Sequence, residues 1–248
     1  SIKIPRQTLE STNSHPCYSK KILVKTAVQV PIKARSSQRV PNKNFRDLQG
    51  KPLCHWLLDE LLELPSTYDI FIDSEDTSVF SQLQEDRYGR FDHHQRNDWF
   101  ASDEANGNHL LHQFALAHPD YEIYVQVFVT AVTLKRHVIE EAVETFKKKA
   151  GVHDSLFLAT EDTGWIWFKD RAINYDPTRP HGLARSQDAA YLKETTGLYA
   201  ITREALLRTG CRLGMNPLPY LVEKEYSFDV DTMSDLQEAE KILANKHG

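Results

Sequence analysis

The chain has 248 residues and is poor in cysteine, methionine and glycine, with 3, 2 and 10 of them. Cys17, Cys54 and Cys211 are odd in number and lack metal or redox spacing, which argues against a disulfide scaffold and points to reduced thiols in a cytoplasmic protein. No apolar run approaches the roughly 20 residues a membrane helix needs. Residues 1–20 are polar, are broken by Pro5 and Pro16, and lack a signal peptide's apolar stretch. They read as an N-terminal arm or a linker. Basic charge is not in excess either: the net charge is −5, which argues against non-specific nucleic-acid binding.

What is present is an alternation of strand and helix. Residues 27–32, 68–73 and 121–130 are β-like runs, with a shorter one at 91–96. Helical spacing falls at 52–64, 78–88, 108–117 and 138–149, the last closed by Gly151. The pattern predicts an α/β fold, a doubly wound, mostly parallel sheet whose ligands sit at the carboxyl ends of the strands. Beyond Gly151 the spacing predicts strands at 155–160, 165–168 and 196–202, a helix over 203–209 and a final helix from about Ser234. Residues 172–190 form a long loop, and Trp165, Trp167 and Phe168 just before it suit a core or an interface. His93-His94 has no third ligand at sensible spacing and is expected on the surface.

Two segments carry chemistry. After the first strand, Arg35, Arg39 and Lys43 supply charge for a polyphosphate, while Ser36, Ser37 and backbone N–H groups supply hydrogen bonds. The loop lacks P-loop glycines, and it also reads as a solvated basic turn. Near the other end, Phe228-Asp-Val-Asp231 sets two carboxylates on one side of an extended segment, an arrangement suited to Mg²⁺ beside phosphate oxygens. Thr232 and Asp235 have capping-box spacing, so Asp231 and Asp235 also read simply as helix-start acids. Arg185 and Gln187, in the long loop, could reach an anionic substrate or belong to an exposed turn.

Together these segments resemble the CMP-sugar synthetases, cytidylyltransferases that activate sialic acids and related 2-keto-3-deoxy sugar acids. The resemblance runs from about Ala27 to the C-terminus. Ala34-Arg35, Arg39-Val-Pro-Asn-Lys-Asn44 and Gly50-Lys-Pro-Leu53 are similar to the signature loop and the helix after it. Arg96 with Ala101 and Asp103, Arg185-Ser-Gln-Asp188, Thr196-Gly-Leu-Tyr199 and Phe228-Asp-Val-Asp231 follow in the family's order. The loop is one residue shorter than the usual form, with Ser36-Ser37 where glycine is common. The family's Gln-Pro-Thr-Ser-Pro segment, which helps hold the sugar, is reduced to Phe128-Val-Thr-Ala-Val132, keeping Thr130.

The resemblance implies a Rossmann-like nucleotidyltransferase domain over 21–248, with 165–195 as a dimerisation and sugar-contact extension, and a homodimer. It implies transfer of CMP from CTP to an acidic sugar, with Mg²⁺ as cofactor and release of pyrophosphate. Arg35, Lys43 and Asp231 would be catalytic; Arg35, Ser37, Arg39, Lys43, Asn44, Arg96 and Asn108 would bind nucleotide. Thr130, Arg185, Gln187 and Tyr199 would meet the sugar, and Asp229 and Asp231 the metal. A nucleotidyltransferase acting on a sugar phosphate or phosphonate, or a non-catalytic nucleotide-binding paralogue, would share much of this pattern.

Overall fold

The first strand, β1 (Thr26–Pro31), is buried at every position, because both its edges are paired and both its faces are covered. The computed structural model describes residues 24–34, 42–180 and 183–245. The arm expected at 1–20, and Arg35, Ser36, Ser37 and Arg39 of the signature loop, lie outside the described residues. After β1 come a small hairpin, β2 (Asp47–Leu48) and β3 (Lys51–Pro52), and helix α1 (Leu53–Leu62). Then follow β4 (Tyr68–Ser74), α2 (Thr77–Asp86), β5 (Asp92–Gln95), α3 (Gly107–Ala117), β6 (Ile123–Val127) and α4 (Arg136–Lys149). The rest is β7 (Ser155–Thr163), the hairpin β8 (Trp167–Phe168) and β9 (Arg171–Ala172), β10 (Ala190–Thr202), α5 (Arg203–Thr209), β11 (Pro217–Leu221) and α6 (Met233–Ala244).

The main sheet has the order β11-β7-β10-β6-β1-β4-β5, and only β10 runs against its neighbours. From β1 the chain moves outward through β4 to β5, then crosses back to β6 on the other side of β1. The point where the winding reverses therefore lies between β1 and β6, where the carboxyl ends of the strands diverge and leave a crevice.

Helices cover both faces. Val28 and Val30 of β1 pack with Leu57, Leu61, Ile139 and Phe146, from α1 and α4. On the opposite face Ala27 meets Leu111 and Phe114 of α3 and Leu206 of α5. A third cluster joins Leu48 and Trp56 to Val230 and Leu236, docking α6 beside the crevice.

Several boundaries differ from the sequence reading. The strand expected to run through Thr130 stops at Val127, because Ala131 N–H bonds Phe128 O and Val132 N–H bonds Thr130 O, which turns the chain away. Ala150 in right-handed conformation caps α4 in place of a left-handed Gly151. His94 is buried, with its ring nitrogens against His118 and Gln113. Trp165, Trp167 and Phe168 are exposed and form no part of the core. Strand β10 starts at Ala190, six residues before the expected Thr196, because the outer halves of β7 and β10 pair into an arm beyond the sheet. The strand β11, unforeseen, contains Pro217 and Pro219. It pairs on one side only, with β7, so their missing N–H groups break no ladder.

Cys54 lies fully buried on α1, where burial, with the charges of Asp86 and Asp59 adding to it, pushes its thiol up to about 12. We expect Cys54 to resist maleimide at pH 8 in the folded protein and to label only after denaturation, as read by peptide mapping. Prompt labelling of Cys54 in native buffer would mean that α1 opens from the sheet.

Candidate active site

A cleft of about 610 Å³ opens at the carboxyl ends of β1 and β6. On the β1 side the backbone is fixed before any functional group is placed. Ile32 N–H donates to Asp73 O at 2.9 Å, and Ala34 N–H donates to Glu75 Oε1 at 2.8 Å. Asn44 Nδ2 holds the Lys33 carbonyl at 3.0 Å, so the two ends of the signature loop are tied together. Asn42 takes a left-handed φ of 52°, which asparagine tolerates, and starts the short turn carrying Lys43. The Lys43 ammonium donates to Val230 O at 3.0 Å and sits 3.5 Å from Asp231 Oδ1. The N-terminal loop and the C-terminal segment thus meet at one charge.

The C-terminal segment is built by alternation. Val230 points inward among Leu48, Trp56, Val132 and Leu236, while Asp229 and Asp231 line the cleft. The β6–α4 turn clamps its backbone: Val230 N–H donates to Thr130 O at 3.0 Å and Phe228 N–H to Thr133 Oγ1 at 3.2 Å. Thr196 Oγ1 donates to Asp229 Oδ2 at 2.7 Å, and Asp229 Oδ1 is buried with no hydrogen-bond partner among the described residues. Asp235 closes the reciprocal cap expected of it: Oδ2 accepts from Thr232 N–H at 2.7 Å and from Asp231 N–H at 3.0 Å. Burial pulls the Asp235 carboxyl up, but these bonds and the charge of Lys43 outweigh it and hold it below the usual carboxylate value.

Arg96 is buried in the cleft wall. Its guanidinium spans Asp73 Oδ1 at 3.0 Å and Glu75 Oε2 at 2.9 Å, and Glu75 in turn holds Ala34. Burial pushes the Asp73 carboxyl up, and the Arg96 charge opposes this. Its hydrogen bonds make Arg96 a brace for the loop after β1.

Of the residues singled out from sequence, Lys43, Asn44, Arg96, Thr130, Asp229 and Asp231 line the cleft. Asn108 and Tyr199 lie behind the wall. Asn108 Oδ1 accepts from Arg212 N–H at 3.0 Å, and the buried Tyr199 ring lies under the Arg212 guanidinium. Within one chain Arg185 and Gln187 stay outside the cleft: Arg185 is exposed on the arm and paired with Asp188 at 2.7 Å. Lining residues that were not singled out as site residues include Lys33, Gly107, Phe128 and Arg212. Lys33 lies within the signature segment, whereas Arg212 follows a short helix with no pattern to mark it.

The sequence model described as "Cytidylyltransferase" matches residues 30–247. The chain is similar to an N-acylneuraminate cytidylyltransferase of Streptococcus agalactiae serotype V, at 27% identity over 82% of this chain and 50% of that protein. It thus spans about half the length of that relative. It also matches a pseudaminic acid cytidylyltransferase of Campylobacter jejuni at 24% identity, over 85% of this chain and 93% of that protein. Among solved structures, a CMP:2-keto-3-deoxy-manno-octonic acid synthetase complexed with CTP superposes with a TM-score of 0.65. Its identity is 15%, covering 90% of this chain and 99% of that one, a likeness of fold. With the family model matched over nearly all of its length, this chain belongs to the cytidylyltransferase family.

Proposed function

We propose that this chain transfers CMP from CTP to an acidic sugar of the 2-keto-3-deoxy type and releases pyrophosphate. One observation carries the reading: two carboxylates face a cleft at the sheet's switch point beside Lys43, one of them with a buried oxygen that has no partner among the described residues. Relatives named for N-acylneuraminate and pseudaminic acid support the choice of acceptor.

The donor set fits Mg²⁺. Asp229 Oδ1 lacks a partner among the described residues, and Asp231 is half-exposed at the cleft, so two hard oxygen ligands are offered, with room for phosphate oxygens and water. When bound, the cation would neutralise triphosphate charge and polarise the α-phosphoryl group. Lys33 and Lys43 would take up the remaining phosphate charge, joined by Arg35, Ser37 and Arg39 of the signature loop. Asn44 would hold that loop against the nucleotide through its bond to Lys33. Thr196 orients Asp229, and Asp235 fixes the backbone at Asp231. The acceptor hydroxyl oxygen forms a bond to the α-phosphorus as the bond to the pyrophosphate oxygen breaks in line, and the hydroxyl proton passes to Asp231. Positioning and charge neutralisation supply most of the rate.

Residues 165–195 form the extension from the 21–248 domain. Trp167, Phe168, Ile173 and Leu192 expose apolar surface along this arm, which we read as the contact with a second copy. Pairing would bring the partner's arm, with Arg185 and Gln187, towards a cleft. A cytoplasmic location is supported by the cysteine pattern, and no helix among the described residues is long and apolar enough to cross a membrane.

Pyrophosphate release with CTP and a panel of sugar acids tests the reaction. We expect turnover with at least one 2-keto-3-deoxy acid, none with ATP or GTP, and none in chelator until Mg²⁺ is restored. Turnover confined to a phosphorylated acceptor would move the protein to the rival substrate class. Lys43→Ala should lower turnover about a hundredfold or more, with a stability loss of about 1 kcal/mol from its bond to Val230. Near-normal activity would remove Lys43 from the mechanism. In denaturant melts Asp229→Asn should leave stability unchanged or higher, since it removes like-charge repulsion with Asp231 and keeps an oxygen to accept from Thr196, whereas Asp235→Asn should cost about 1 kcal/mol as a lost cap. The reverse order would place the metal elsewhere. Light scattering should give a dimer that Phe168→Glu dissociates; a fully active monomer would contradict the arm's role.

A further inference from the structure

The cations described around the cleft are matched with acids, with one exception. Lys33 pairs with Asp103, Lys43 with Asp231, and Arg96 with Asp73 and Glu75. Arg212 lines the same cleft, yet its guanidinium forms no ion pair with an acid among the described residues. It is nonetheless firmly placed. The group lies 3.8 Å from the centre of the Tyr199 ring and 5.8 Å from that of Phe128. Its backbone N–H is held by Asn108 Oδ1 at 3.0 Å. Gly107 leaves the room: a Cβ there would come within 2.5 Å of Arg212 Nη1.

A guanidinium stacked on an aromatic face keeps its N–H edge available, and that edge matches a carboxylate or phosphate in a two-bond fork. Position separates these two sources. Lys33 and Lys43 stand on the β1 side, where the signature loop would meet the triphosphate. Arg212 stands on the side formed by β6 and β10, over Tyr199 of β10 and near Phe128 just after β6. We propose that Arg212 is a specificity-determining residue that binds the carboxylate of the acceptor, through an assignment that rests on the acidic-sugar reading above. The site is then complete for an anionic acceptor within one chain, before the partner's arm contributes. Phe128, which stands where the family has a polar segment, gives the guanidinium a second aromatic neighbour.

The test is calorimetric titration of the wild type, Arg212→Gln and Arg212→Lys with N-acetylneuraminate and with its methyl ester, at saturating CTP analogue bearing an α,β-methylene bridge. The wild type should bind the acid more tightly than the ester. Arg212→Gln should lose at least about tenfold for the acid, leave the ester and the CTP analogue unchanged, and so abolish the preference. Arg212→Lys should keep part of it. Equal weakening of acid and ester would make Arg212 a merely structural support, and weakened CTP-analogue binding with the acid unaffected would assign it to phosphate; either overturns the proposal. If the wild type binds the CTP analogue but neither N-acetylneuraminate nor any other 2-keto-3-deoxy sugar acid, the acidic-acceptor reading falls and this inference falls with it.

Discussion

The cleft depends on one buried ion cluster. Arg96 bridges Asp73, at the end of β4, and Glu75, just beyond it, and also bonds the Asp73 carbonyl at 3.0 Å. From there polar contacts spread across three strands. Gln29 of β1 donates to Asp73, Gln126 of β6 donates to Gln29 Oε1 at 2.8 Å, and Gln126 also holds the Gly107 carbonyl at 3.0 Å. Gln29 and Gln126 face each other at the switch point, and Asp73, Glu75 and Arg96 extend the network to β4 and β5. Removing one member would strand a buried charge, a loss of about 3–5 kcal/mol. The cluster sets the start of the signature loop through Glu75 and Ala34, and the N-terminus of α3 through Gly107.

With that frame in place, residues far apart in sequence share one cleft. Lys43 and Val230 are separated by 187 positions and joined by a 3.0 Å bond. The pieces closing the cleft are short and irregular: the turn at Lys43, the turn after β6, and the extended run at Asp229. Each is held by isolated turn bonds and side chain–backbone bonds in place of a sheet ladder. That leaves Lys33, Lys43, Asp229 and Asp231 projecting into the cleft from fixed backbone, which is what charge stabilisation of a phosphoryl transfer requires.

Much of the fold was legible because periodicity survives wherever one element faces one core. The runs at β1, β4 and β6 read as strands from their apolar residues, and α1 and α4 read from helical spacing. Asp229 and Asp231 were legible for the same reason, since alternation around the buried Val230 puts them on one side. The failures have physical causes too. Edge pairing makes β11 tolerant of Pro217 and Pro219, which in a sequence argue against a strand. The outer half of β10 is exposed and follows no core-facing alternation. Arg96 carries a charge that sequence reasoning assigns to a ligand, while tertiary packing gives it two acids. Arg212 is defined by Tyr199, Phe128 and Gly107, all remote in sequence, so no local pattern could mark it.

The central claim is that Asp229 and Asp231 make this cleft a metal-dependent CTP site. Thermal unfolding with nucleotide tests it without relying on an acceptor. CTP with Mg²⁺ should stabilise the protein, by about 2.7 kcal/mol at a hundred times its dissociation constant. The effect should vanish in chelator and in an Asp229→Asn, Asp231→Asn double variant that melts like the wild type on its own. An equal shift in chelator, in the double variant, or with ATP in place of CTP would contradict the account.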